Sequence, residues 1–368
     1  MKRLRIDEAY LTDMLLRLLE IPSPTGYTDQ IVHFVGEELS RLGISFELTR
    51  RGAMRATLEG QQQLPARALI AHLDTLGAMV RALKPNGRLE LAPIGTWSSR
   101  FAEGARALLM GRHLSVRGTI LPLKASGHIF NLEVDTQPGG WDHIELRLDA
   151  RCESGEDLAR LGLQIGDYVA IEPRPVIEEG FINSRHLDDK AGVACILAAA
   201  RAVRDAGARL PVTCYLLFTL SEEVGSGASA VLHGDVAEMV AVDNATPGPG
   251  QASREFGATL AMMDMSGPFD YHLTQKLIGL CEEYGIEFQR DVLRHYRCDA
   301  ASAIEAGSDI RTALIGFGVD ASHGHERTHV DALRSVAELA ALYMQSPQTI
   351  RRDRQDLGPI KDFPTQPM

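Results

Sequence analysis

The chain has no Cys-x-x-Cys pair, no apolar run long enough to span a bilayer and no excess of basic residues. Each absence removes a class of function. Its five cysteines, Cys152, Cys195, Cys214, Cys281 and Cys298, are odd in number and irregularly spaced. That pattern excludes a zinc knuckle or redox dithiol and fits reduced thiols in a cytosolic protein. Without a spanning segment, no membrane partner is expected. A formal net charge of -11 argues against a nucleic-acid partner, which calls for a basic face to displace counterions. The N-terminal MKRLRIDEAYLTDMLLRLLEI starts basic but mixes Asp7, Glu8, Asp13 and Arg17 into its apolar positions. It lacks the apolar core and cleavage site of a secretory signal, so a cytoplasmic protein is expected.

What is present is ordinary globular material: 368 residues, 45% hydrophobic and 24% charged. This length exceeds what one core usually serves, so a main domain carrying a smaller one is expected. Leu11, Leu15, Leu18 and Leu19 share a helical face, stopped by Pro22, Pro24 and Gly26. A second helix is predicted from about Asp29 to Leu42, and Ala68 to Ala71 reads as a buried strand. From about Gly77 to Ile182 the pattern becomes short alternating segments with turns such as Lys84-Pro85-Asn86-Gly87. Helix and strand then alternate again: a helix through Val193, Ile196, Leu197, Ala200 and Val203, a strand from Cys214 to Leu220, a strand from Met239 to Val242, a helix from Leu273 to Tyr284 and a strand from Ala313 to Phe317. The expected fold is α/β, a mostly parallel sheet with helices on both faces. Residues 1–76 and 183–350 would form a discontinuous main domain, 77–182 an inserted β-rich domain and 351–368 a loose tail.

Five segments place metal-ligand residue types at strand ends or helix starts, where α/β folds carry function. In Ala71-His72-Leu73-Asp74 the two polar residues project to one side of an extended segment, so one can ligate a metal while the other orients it. Alone this is weak, since a strand-end histidine is more often a surface residue. Leu187-Asp188-Asp189-Lys190-Ala191-Gly192 precedes a helix, and capping is the simpler explanation for either acid. Ser221-Glu222-Glu223-Val224-Gly225 follows a buried strand, where two ionised carboxylates are costly unless cations compensate. Adjacent glutamates point in opposite directions and cannot flank a glycosidic bond, but one can reach a metal and the other a water. Val242-Asp243-Asn244 ends a strand in an acid, unremarkable by itself. Ser322-His323-Gly324-His325-Glu326-Arg327-Thr328-His329 packs three of the twelve histidines into seven residues, a density that usually means metal, with a polar surface loop as the alternative. Together the set can hold two borderline ions, which at about 3.5–4 Å apart clamp both oxygens of a hydrolysis.

With these residues collected, the chain resembles the glutamyl or TET (deblocking) aminopeptidases, a family of co-catalytic dinuclear metallopeptidases, from about Leu11 to Tyr343. The segments AHLDTLG, LDDKAG, SEEVGSGA and VAVDNATPG match the family's motifs in order. ESGEDLARLGLQIGDYVAIEP is similar to the stretch leading out of its inserted β-domain, and AGSDI to its Gly-Thr-Asp turn. The resemblance implies a zinc-peptidase-like fold and two divalent ions, zinc first and cobalt or manganese next. It implies His72, Asp188, Glu223, Asp243 and a C-terminal histidine as ligands, with Asp188 bridging. Glu222 would be the general base and then acid, and Asp74 would orient His72. The implied activity is removal of N-terminal residues from short peptides through a metal-bridging hydroxide. The last ligand departs from the family's Tyr-x-His-Ser/Thr-Pro-x-Glu. Alignment from IGFGVDASH selects His323, counting back from LRSVAEL selects His325, and His329 is a third candidate; His323 is taken here. This loop is similar to that of a bacterial subfamily found beside synthesis enzymes for an acetylated dipeptide osmolyte. The inserted domain resembles one by which family members dimerise and build closed shells, implying a homo-oligomer of up to a dodecamer. The nearest rival is a two-metal amidohydrolase or deacylase on small N-acyl or dipeptide amides. A catalytically silent metal-binding subunit is a further one, and the retention of both Glu222 and Glu223 argues against it.

Overall fold

A computed structural model describes residues 1–232, 234–354 and 359–367. Its centre is a nine-stranded sheet in the order Ser45–Leu48, Met54–Leu58, Leu210–Thr219, Gly60–His72, Val236–Ala245, Arg311–Gly318, Ala258–Asp264 and Gly267–Pro268, with Phe288–Val292 paired beside Ala258–Asp264. The four middle strands, from Leu210–Thr219 to Arg311–Gly318, run parallel. Antiparallel strands flank them on both sides.

Period-two alternation explains why these strands read as continuous apolar runs. Leu69, Leu216, Val240, Val242 and Ile315 enter one core, while Ala68, Ile70, Leu217, Met239, Ala241 and Leu314 enter the other. The two faces are covered unequally. Helices Glu8–Glu20, Asp29–Arg41, Leu187–Asp205, Tyr271–Tyr284 and Val330–Gln345 pack on the first. The second is closed by the short helix Asp299–Glu305 and the turn Ala228–Ala230.

Between Gly77–Leu83 and Tyr168–Ile171 six strands close into a barrel, with its own core of Val80, Leu91, Leu109, Ile120, Leu146 and Val169. Its first and last strands pair with each other, Ala78 opposite Val169, so the chain enters and leaves the barrel at nearly one place. Of the tail expected from Arg351, residues 355–358 and 368 lie outside the described residues. The described Arg351–Arg354 forms a 3-10 turn in which Asp353 accepts from Arg311 Nε at 2.6 Å. No described helix is long and apolar enough to cross a membrane.

Behind the sheet lies a fully buried ion pair. Arg67 Nη2 is 2.9 Å from Glu238 Oε1, and the two side chains are 0% and 1% exposed. The guanidinium also donates to the Tyr343 carbonyl and to Ser346 Oγ, and Glu238 Oε2 accepts from the Thr349 backbone N–H at 3.0 Å. The pair thus ties two central strands to the end of the last long helix. Glu238→Ala leaves a buried cation uncompensated, so stability should fall by about 3–5 kcal/mol in urea denaturation. A loss below about 1 kcal/mol would show that the carbonyl and hydroxyl suffice for Arg67.

Candidate metal centre

The parallel strands deliver their acids and histidine to one edge. His72 ends its strand directly opposite Thr219, so the turn that follows Thr219 begins beside it. That turn is tight, with Gly225 N donating to the Glu222 carbonyl and Ser226 N to the Ser221 carbonyl. Asp74 fixes it: its carboxylate accepts from the backbone N–H of Glu222 at 3.2 Å and of Glu223 at 3.3 Å, and from Thr25 Oγ1 at 2.6 Å. The expected partnership of Asp74 with His72 runs mainly through the backbone. His72 Nδ1 lies 2.8 Å from the Asp74 carbonyl and 3.6 Å from its carboxylate. A carbonyl only accepts, so Nδ1 carries the hydrogen and Nε2 is the atom free to ligate.

Asp188 is the hub. Oδ1 lies 3.0 Å from His72 Nε2, while Oδ2 lies 3.4 Å from His323 Nε2 and accepts from Asn244 Nδ2 at 2.5 Å. A cis peptide joins it to Asp189. Neither acid caps the helix that follows, as a simpler reading of the sequence would have had it. Both depart from helical dihedrals, and Asp189 instead accepts from the His72 backbone N–H at 3.0 Å. Gly192 completes the motif because a Cβ there would overlap Asp189 and crowd the Val242 carbonyl.

Possible ligand atoms therefore form two groups that share Asp188. One is His72, Asp188 and Asp243, the other Asp188, Glu223 and His323, each with its atoms within 4.8 Å of one another. His323 Nδ1 lies 2.9 Å from the Thr96 carbonyl, which again leaves Nε2 for a ligand bond. The other two loop histidines go elsewhere. His325 is exposed, and His329 accepts from the Asp331 N–H at the start of the last long helix. Glu222 stands 3.8 Å from His72 Nε2, outside both groups. Among the described residues no lysine or arginine ion-pairs with Asp188, Glu222, Glu223 or Asp243. Nearly buried carboxylates at this density fit cations, and the mixed imidazole and carboxylate donors suit a pair of borderline divalent ions.

Several further contributors do not stand out in the sequence. Glu326, 2% exposed, accepts from the backbone N–H of both His323 and Asp188, locking two ligand-bearing segments together. Arg185 donates to the carbonyls of Phe101 and Gly324, stapling the barrel to the histidine loop. Asp299 accepts from Thr219 Oγ1 at 2.6 Å and from Ala228 N at 2.7 Å, and Gly227 lacks the Cβ that would overlap it. Asp309 of the AGSDI turn lies on the surface instead. Only Gly227, inside SEEVGSGA, and Glu326, inside the histidine loop, were within reach of a motif search.

A cleft of about 1260 Å³ opens onto the centre. Asp188, Glu222, Glu223, Asp243 and His323 line its floor side, and Trp97 and Phe101, from the barrel segment, line a wall.

The profile of the M42 glutamyl aminopeptidase family matches residues 52–339. A Bacillus subtilis protein named "Putative aminopeptidase YhfE" is 36% identical over 337 residues, covering 91% of this chain and 97% of that protein. The glutamyl aminopeptidase of Lactococcus lactis subsp. cremoris is 24% identical over 221 residues, 58% of this chain and 60% of that protein. A TET aminopeptidase from a marine sediment archaeon of the Thaumarchaeota has the same fold, with a TM-score of 0.82 at 19% identity over 91% of this chain and 96% of that one. So does the Pyrococcus horikoshii TET1 peptidase, which can assemble into a tetrahedron or a large octahedral shell, at 0.80 and 22% identity over 91% and 99%.

The electrostatics of the metal-free centre follow from its crowding. Burial, with neighbouring acids, pushes Glu222 and Glu223 well above the usual carboxylate range and Asp243 up to about 7. Burial alone would depress both imidazoles, but Asp188 and its neighbours outweigh it, holding His72 well above its ordinary value and His323 at about 10. At neutral pH the metal-free centre therefore holds protons that ligation must expel. Zinc affinity should rise with pH and weaken as pH falls through neutrality. Titrating zinc into chelated protein, in buffers of differing ionisation heat, should show release of about one proton or more per protomer. Binding without proton release would contradict this assignment of the ligands.

Proposed function

The chain belongs to the M42 glutamyl aminopeptidase family and is a peptidase, and on that premise we propose that it removes N-terminal residues from short peptides using two divalent ions. The observation that carries this reading is the sharing of Asp188 by two ligand groups, with Glu222 beside them and in neither. His72 and Asp243 would hold one ion, Glu223 and His323 the other, and Asp188 both. When bound, such a pair supplies Lewis acidity toward the peptide carbonyl and an acidified water at neutral pH. Zinc is the first choice and cobalt or manganese the next, since the donor set admits all three.

The protein's own groups do the rest. Glu222 takes a proton from the attacking water and later delivers it to the leaving amine. Asp74 keeps that carboxylate on station by holding two successive backbone N–H groups. The Asp74 and Thr96 carbonyls keep His72 and His323 in the ligating tautomer. Trp97 and Phe101 give the cleft an apolar wall against which a peptide side chain can pack. The barrel would be the dimerisation unit of a homo-oligomer of up to a dodecamer, in line with the shells formed by the Pyrococcus horikoshii relative. Five unpaired cysteines accord with a cytoplasmic site of action.

The test is release of N-terminal residues from short peptides, free and N-acetylated, after chelation and after restoring zinc, cobalt or manganese. Cleavage should depend on metal and be confined to free N-termini. Glu222→Gln should lower kcat by about 10²–10⁴-fold while both ions still bind. Cleavage of the acetylated peptides at a matching rate would make the enzyme a deacylase instead.

A further inference from the structure

The charges of the cleft do not all find partners within the protein. Among the described residues that line it, the acids are Asp188, Glu222, Glu223 and Asp243 and the arginines are Arg294 and Arg297. Two divalent ions match the charge of these four carboxylates, so the floor is neutral once both are bound. Arg297 is matched by Glu305, with Nη1 2.8 Å from Oε1. Arg294 has no counterpart: it is exposed and makes no hydrogen bond or ion pair with any described residue. The acid three residues before it is occupied elsewhere, since Asp291 accepts from the backbone N–H groups of Ala252, Ser253 and Val292 and from Ser253 Oγ.

Arg294 stands on the connection between the strand Phe288–Val292 and the helix Asp299–Glu305. Three hydrogen bonds hold that connection: Leu293 N donates to the Met263 carbonyl at 2.9 Å, Met265 N to the Tyr296 carbonyl at 3.0 Å and Gln251 Nε2 to the Val292 carbonyl at 3.1 Å. Leu293 itself is buried in the smaller core. The backbone is therefore fixed while the guanidinium stays free. Arg294 also lines a shallower pocket of about 360 Å³ beside the cleft, together with Arg290, a second exposed arginine without a partner among the described residues. It thus marks the place where the deep cleft gives way to the outside. A peptide whose N-terminal residue lies at the ion-binding floor runs outward, and what it brings to this mouth belongs to the part beyond the scissile bond.

We propose that Arg294 is a specificity-determining residue that binds a carboxylate of the substrate beyond the scissile bond, so that the enzyme favours short peptides carrying negative charge there. A guanidinium keeps its charge at any working pH and presents paired N–H donors that match the two oxygens of a carboxylate. The free C-terminus of a dipeptide and an acidic side chain on the second residue both supply that group. No proton moves and no covalent bond is made; the contact forms on binding and acts on affinity.

The proposal rests on the aminopeptidase reading of the site, and the experiment separates the two. The metal-loaded enzyme is assayed on alanyl-glycine against its C-terminal amide, and on the C-terminal amide of alanyl-glutamate against that of alanyl-glutamine. In at least one pair the member with the carboxylate should have a KM lower by about five- to tenfold, with kcat within about threefold, and the pair concerned identifies the source of the charge. Arg294→Gln should abolish the preference, Arg294→Lys should keep part of it, and added salt should weaken it in the wild type. The same pairs with a methylene in place of the scissile carbonyl cannot be hydrolysed, and their binding by calorimetry should show the same preference and the same loss. Thermal unfolding of the variants checks that the fold is intact. A wild type indifferent to the carboxylate in both pairs would overturn the proposal, as would a preference that survives Arg294→Gln. If the wild type acts on acylated amides instead, the aminopeptidase reading fails while the N-acetylated forms of the four peptides still test Arg294. If it cleaves nothing, binding of the methylene analogues alone decides.

Discussion

Four acidic side chains, Asp188, Glu222, Glu223 and Asp243, share a nearly buried volume with two imidazoles and no ion-paired lysine or arginine among the described residues. Little else in the molecule is as demanding. Carboxylates withdrawn from water repel one another and lose hydration, and the protein tolerates this only because the sheet, the helix starts and the loops hold them in place. The parallel strands bring His72, the Thr219 turn and Asp243 to one edge, which is the general property of open α/β sheets. Around the acids lies a layer of neutral donors and carbonyls, chiefly Asn244 on Asp188 and the Asp74 and Thr96 carbonyls on the histidines. Those contacts decide which oxygen and which nitrogen face inward.

The sequence was most legible where one physical signal dominated. Alternating burial on both sheet faces made the middle strands read as apolar runs, so Ala68 to Ala71 and Met239 to Val242 were found, although their strands extend to Gly60–His72 and Val236–Ala245. Strand ends depend on pairing partners, and that information is not local. The barrel announced itself through turn chemistry between short alternating segments. Elements lacking such contrast were passed over, among them Ala258–Asp264, Phe288–Val292 and the helix Asp299–Glu305.

The site divides the same way. His72, Asp188, Glu223, Asp243 and His323 were picked out because ligand types stood at strand ends or in a histidine-dense loop, and the structure brings these five together. Choosing among His323, His325 and His329 required knowing which imidazole turns back toward Asp188, a matter of loop conformation that spacing does not carry. Asp189 looked like a helix cap, and only the fold shows it gripping the His72 backbone. Arg185 and Asp299 lie outside the quoted motifs and Glu326 lies inside the histidine loop without standing out in it, and single polar residues of that kind have no periodic signature.

The barrel's pairing of its first and last strands has a further consequence. His72 and Asp188 are 116 residues apart, and joining the ends of so long a flexible loop would carry a large entropic penalty. Because Ala78 pairs with Val169, the excursion is closed by its own hydrogen bonds, and the rest of the chain meets it as though it were a short turn. With the barrel closed, the two halves of the candidate metal site lie side by side. The closure also leaves the barrel itself some latitude. The far side of the barrel can be lengthened, shortened or resurfaced for new neighbours, provided that the Thr96 and Phe101 carbonyls still meet His323 and Arg185.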